Sequence, residues 1–180
     1  MKLYYLHNEA LLAVKSLYER AADTTEKNTQ VLIGAGATGL IETFYTDLEE
    51  PYTNDTLSNT WVFRINALTL GGAPKLYAKV SKRGPDDSET LLFTSDLSAT
   101  VTSKKTYSFV GTGAGHLDVH DRLKVEIWVD NTGSAQAATV TIYYEASAIS
   151  GNVTCHSQLT GPDLFAWTHD SHGPHHRRGH

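Results

Sequence analysis

Two stretches of this chain alternate strictly between apolar and polar positions. From Arg122 to Asp130, Leu123, Val125, Ile127 and Val129 point one way, while Arg122, Lys124, Glu126 and Asp130 point the other. Trp128 is the one large ring on the wet side. From Ala138 to Glu145, Val140, Ile142 and Tyr144 repeat the period of two. That period marks a half-buried strand, because successive side chains leave a strand on opposite faces. The link from Asn131 to Ala137 is turn chemistry, too poor in apolar residues for a helix. The two segments are expected to pair as an antiparallel hairpin, whose single apolar face needs a second sheet to cover it.

The same period recurs upstream. Strands are expected at Leu40–Thr46, Thr60–Thr69, Lys75–Lys82, Glu89–Thr94, Leu97–Thr102 and Lys105–Val110, separated by turns such as Gly71-Gly72-Ala73-Pro74. With the first two segments they make eight. No helix-period segment interrupts them, which excludes a parallel α/β sheet. The pattern predicts an all-β protein, an antiparallel β-sandwich of jelly-roll type. Its inward residues would include Trp61, Phe63, Ile65, Leu76, Val80, Leu91, Phe93, Leu123, Val125, Ile127, Val140 and Ile142.

Before the sandwich, Leu3–Leu6 suits a short edge strand. Leu11, Val14, Tyr18 and Ala21 keep helical spacing behind Asn8, an N-cap type, so 9–22 is expected as an amphipathic helix. The polar run 23–30 suits a linker. Gly34–Gly39 lacks the Lys-Ser/Thr ending of a phosphate-binding loop and is expected as a turn. After Ser147, glycines and prolines separate isolated apolar residues. The chain thus divides into an N-terminal arm and linker (1–39), the β-sandwich (40–147) and an extended, His-rich C-terminal tail (148–180).

Phe44-Tyr45-Thr46, Thr60–Arg64, Leu91-Leu92-Phe93 and Asp121-Arg122-Leu123 leading to Val140–Tyr144 together resemble the eight-stranded jelly-roll modules of tailed-bacteriophage virion proteins. The opening Leu3-Tyr4-Tyr5-Leu6-His7 is similar to the starts of some phage structural proteins. The resemblance spans residues 40–147 and rests on strand edges. It implies a structural protein located in the virion, as a capsid decoration, cement or head-fibre protein. Its partners would be the major capsid protein or other virion proteins, and copies of itself, with a trimer as the expected state.

A net charge of −5 offers no nucleic-acid footprint. The single cysteine, Cys155, excludes an internal disulfide framework. No stretch is long and apolar enough for a membrane span, and the opening residues lack the apolar core of a secretory signal. His116, Asp118 and His120 recur at period two, so on a strand they would project from one face as a metal site. The same residues also suit a polar lip leading into the next strand, and that reading is preferred. The tail histidines suit docking better than physiological metal binding. Glu49-Glu50 and Asp86-Asp87 sit beside prolines as solvated loop charge, and no hydrolase or nucleotide motif is present. The sequence is therefore read as that of a non-enzyme with no cofactor.

Two functions fit. In the first, the protein binds a phage shell as an oligomer, with Leu159, Leu164, Phe165 and Trp167 anchoring the tail on a partner. The second is a carbohydrate-binding module at an extracellular surface, with Tyr52, Trp128 and Tyr143 as a sugar-stacking platform. The long terminal arms favour the first.

Overall fold

The computed structural model describes residues 26–46, 60–113 and 115–144 in full, and the backbone of strands at 2–11, 14–18, 55–57 and 158–161. All regular structure among them is strand. In chain order the strands are β1 (Lys2–Leu11), β2 (Val14–Tyr18), β3 (Lys27–Ile33), β4 (Thr38–Tyr45), β5 (Asp55–Leu57), β6 (Thr60–Leu70), β7 (Lys75–Arg83), β8 (Glu89–Thr94), β9 (Lys105–Thr112), β10 (Gly115–Leu117), β11 (Arg122–Asp130), β12 (Ala138–Tyr144) and β13 (Gln158–Gly161).

Eight of these build the sandwich. β3, β12, β6 and β9 form one antiparallel four-stranded layer, and β4, β11, β7 and β8 form the other. Chain neighbours repeatedly cross between layers, as in a jelly roll. Every inward residue expected from alternation is buried except Leu91. Leu91 is 55% exposed because a bulge opposite Val80 and Ser81 adds a residue to β8, so that Leu92 and Phe93 both turn inward. In the core Phe63 stacks on Phe109 within one layer, at 5.1 Å and 6°, while Phe44 meets Tyr144 edge-on between layers. Each such fully buried ring contributes about 1.5–3 kcal/mol.

Several local expectations are corrected. β11 and β12 do not form a hairpin: β11 pairs with β4 and β7, and β12 with β3 and β6. Their alternation is right, because each needs one apolar face, but those faces meet across the core. The run 97–102 is a strap, not a strand. Ser98 N donates to Leu76 O and Val101 N to Pro74 O, while the Ser98 and Ser95 hydroxyls accept from Leu76 N and Ala78 N. Serine hydroxyls thus finish the first half of the β7 edge where β8 does not reach. Residues 27–30, expected in a linker, belong to β3 and pair with β12.

The helix expected over 9–22 is also absent. β1 and β2 pair with each other, β2 touches β4 in parallel, and β13 fills the space between β1 and β6. Tertiary pairing of the backbone here overrides a helical spacing of apolar residues. The three strands link the two layers along one side. β13 lies inside the tail, and its backbone pairs with β1 and β6 of the same chain.

At one end of the sandwich the turns are tied to a single side chain. Asn131, fully buried, donates through Nδ2 to Gly34 O (3.0 Å) and Gln136 O (2.8 Å), and its Oδ1 accepts from Ala73 N at 3.3 Å. It joins the β3–β4, β6–β7 and β11–β12 turns.

Candidate functional site

The two outer faces differ in chemistry. On the β4–β11–β7–β8 layer, register sets Trp128 opposite Tyr77, Glu126 opposite Lys79, and Lys124 between Ser81 and Tyr45. Tyr77 stacks on Trp128 with centroids 6.1 Å apart. The Lys79 ammonium lies 4.1 Å from the Trp128 centroid, and the indole N–H donates to Glu126 Oε2 at 2.7 Å. Lys124 Nζ reaches Glu126 Oε1 (2.9 Å) and Glu89 Oε2 (2.6 Å). Tyr45 OH donates to Glu89 Oε1 at 2.8 Å and accepts from Arg83 Nη1 at 2.9 Å. Arg83 closes the chain on Asp87 at 2.8 Å.

This network sets its own electrostatics. Burial pushes the Glu89 carboxyl up, but Lys124, Tyr45 and Arg83 outweigh it and hold Glu89 below the ordinary carboxylate range. Burial would lower Lys124, yet Glu89 and Glu126 raise it. Tyr45 is raised by burial and by its bond to Glu89. Lys124, Glu126, Glu89, Arg83 and Asp87 are thus paired with one another across the face.

The outer face of the β3–β12–β6–β9 layer is built from Asn28, Gln30 and Leu32, then Thr139, Thr141 and Tyr143, then Val62, Arg64, Asn66, Leu68 and Leu70, then Thr106, Ser108, Val110 and Thr112. Arg64 is the only charged residue among these strand positions. Leu32 and Leu70 flank Thr139 in one cross-strand row and are 70% and 67% exposed. Two strand spacings set them about 10 Å apart.

Beyond the sheet faces, a cavity of about 470 Å³ opens between the β7–β8 turn and the segment before β11, lined by Lys82, Gly84, Pro85, Asp86, Ser88, Thr90, Asp118 and Asp121. Asp121, 5% exposed, accepts from Asp118 N at 2.9 Å and lies 3.7 Å from Lys82 Nζ. Lys82 also donates to His116 O at 2.9 Å.

The residues singled out in the sequence are dispersed. Trp128 and Tyr143 stand on opposite outer faces, and each ring carries a lysine: Lys79 on Trp128, and Lys104 on Tyr143 at 4.0 Å. Tyr52, Leu164, Phe165 and Trp167 lie outside the described residues, and Leu159 sits in β13. His116 is on β10 with Nε2 3.2 Å from Asp118 Oδ1, but the turn at 119–120 takes His120 off the strand period. Among the described residues no group of three His, Cys, Asp or Glu side chains is placed to hold a metal ion. Sequence reasoning missed Tyr77 and Lys79 as neighbours of Trp128, and Tyr45 as the neighbour of Lys124. Their wet-side positions were visible, but the pairing of β11 with β7 and β4 was not.

No family model and no curated protein matches the chain. Among solved structures it is similar to a CocE/NonD family hydrolase from Staphylococcus aureus, at 10% identity and a TM-score of 0.59, over 88% of this chain and 35% of that one. It is likewise similar to an alpha-amino acid ester hydrolase, at 13% identity and a TM-score of 0.52, over 80% of this chain and 34% of that one. These likenesses concern the fold, and the chain spans about a third of each hydrolase. They nonetheless correct the reading of the sequence as that of a non-enzyme, because hydrolases carry this sandwich.

Proposed function

We propose that the chain is a structural protein of a virion, a capsid decoration or head-fibre protein, that binds the shell through the outer face of β3, β12, β6 and β9. The scarcity of charge on that face, where Arg64 is the one charged strand residue, with Leu32 and Leu70 standing out from it, carries this reading. Depletion of charge with projecting apolar side chains is the composition of an interface core, whereas the opposite face is rich in charge that pairs within the chain. The resemblance of the strand edges to phage jelly rolls supplies the shell as partner. The test is co-sedimentation with assembled phage shells. Wild type is expected in the pellet, the double variant Leu32→Lys/Leu70→Lys in the supernatant, and the opposite-face variant Lys79→Ala in the pellet. Equal pelleting of all three would refute attachment through this face, and no pelleting by wild type would refute the virion role.

A second reading, service within a hydrolase, is favoured by the cavity that gathers Lys82 with Asp86, Asp118 and Asp121. It predicts turnover of nitrophenyl or amino acid esters that is lost in Asp121→Asn. Wild-type rates equal to the buffer background would reject it.

A further inference from the structure

β9 ends its layer with an edge that Asp96 covers at Val110 and that is left open at Thr106 and Ser108. It runs in continuous register with β6 over eight residue pairs, without bulge or proline. β8, at the edge of the other layer, is interrupted by a bulge. Natural sheets protect such edges with bulges, prolines and charge, because open N–H and C=O groups accept a further strand. Val110 O accepts Asp96 N at 2.7 Å from outside the layer, so carbonyls of this parity turn away from β6. Thr106 and Ser108 share the parity, and among the described residues their outward backbone groups meet no partner. The strand carries charge only at Lys105.

We propose that β9 pairs with β9 of a second copy in antiparallel fashion, about a two-fold axis through Tyr107, joining two sandwiches by one continuous eight-stranded layer. In this register Thr106 of each copy faces Ser108 of the other, both with their backbone groups turned outward. Lys104 of one copy then falls opposite Val110 of the other, the residue that holds exposed Asp96. Lys104 already holds Glu26 of its own chain at 2.7 Å, so the basic character that this end presents to Asp96 comes from Lys104 together with Lys105, and the two Lys105 residues are staggered along the strands. This complementarity of an edge with itself selects a second copy over an unrelated peptide. The pairing extends the charge-poor outer face across the dimer and does not depend on shell attachment.

The experiment is sedimentation equilibrium of the full chain with backbone amide exchange measured on dilute and concentrated samples. Wild type should dimerise, with exchange at Thr106 and Ser108 slowed at high concentration. Ser108→Pro removes an outward N–H while leaving the β6 ladder intact, and should raise the dimer dissociation constant at least tenfold. Ser108→Lys, which keeps the N–H and adds charge to the edge, should do the same if the proline variant misfolds. Asp96→Lys should weaken the dimer at low salt more than at high salt. A monomer at all concentrations would overturn the proposal, as would a dimer indifferent to these changes or one whose Thr106 and Ser108 amides exchange at the same rate in both samples. Leu32→Lys/Leu70→Lys should leave the dimer intact, so self-pairing and shell binding fail separately.

Discussion

The Lys79 ammonium stands 4.1 Å from the centre of the Trp128 ring, on the strand beside it, so a large surface aromatic is already occupied by a neighbour. The contact accounts for a tryptophan on a charged face without invoking a ligand. Lys79→Ala is expected to cost about 0.5–1 kcal/mol, the value of a cation over an indole at a partly exposed site. Urea denaturation of Lys79→Ala, Trp128→Ala and the double variant would measure it. Additive single effects would show that the two side chains are uncoupled.

Asn131 should be among the costliest polar residues to replace. Asn131→Ala removes three hydrogen bonds at once, those to Gly34 O and Gln136 O and the one from Ala73 N, and each contributes about 0.5–1.5 kcal/mol. A loss of about 2–4 kcal/mol is therefore expected in chemical denaturation. Asn131→Asp should be worse near neutrality, where a carboxylate has no hydrogen to donate, and should recover as the pH falls and the acid regains one.

Acid should weaken the β4–β11–β7–β8 face through Glu89. Its carboxyl is held low in the folded protein, so its contribution is present above the unfolded carboxylate value and lost as the pH falls through the folded one. Melting temperature should drop between pH 6 and pH 3 more steeply in wild type than in Glu89→Gln. Parallel curves for the two would remove Glu89 as a source of acid sensitivity.

Gly111 marks a close approach where β9 passes the β8–β9 corner. A Cβ there would meet Phe93 Cε2 at 2.5 Å and the Ser95 backbone at 3.0 Å. Gly111→Ala should cost about 1–3 kcal/mol as overpacking. A thermal melt unchanged from wild type would show that Phe93 has room to move.

Alternation along the chain reveals faces better than partners. Val125, Ile127, Val140 and Ile142 are inward as their period requires, yet β11 and β12 lie in different layers, because period says nothing about which strand supplies the neighbouring backbone. The exposed Leu91 follows from a bulge, a one-residue event with no apolar signature. The same limit hid the surroundings of Trp128. Tyr77 is 51 residues away in sequence, and only the register of β7 against β11 makes the two rings neighbours. Ser95 and Ser98 hid a strap inside an apparently alternating run, since their hydroxyls do the work of a strand's backbone.

β12 and β13 lie against the same side of β6: Tyr143 pairs with Asn66, and Gln158 resumes opposite Arg64, the next residue of that parity. Two strands set thirteen positions apart in sequence thus share one backbone partner along a single line. Between fixed anchor points chain length is a weak variable, since doubling it costs only about 0.6 kcal/mol in closure entropy. Lengthening the sequence between Tyr144 and Gln158 should therefore leave both registers on β6 unchanged, as backbone amide exchange would show.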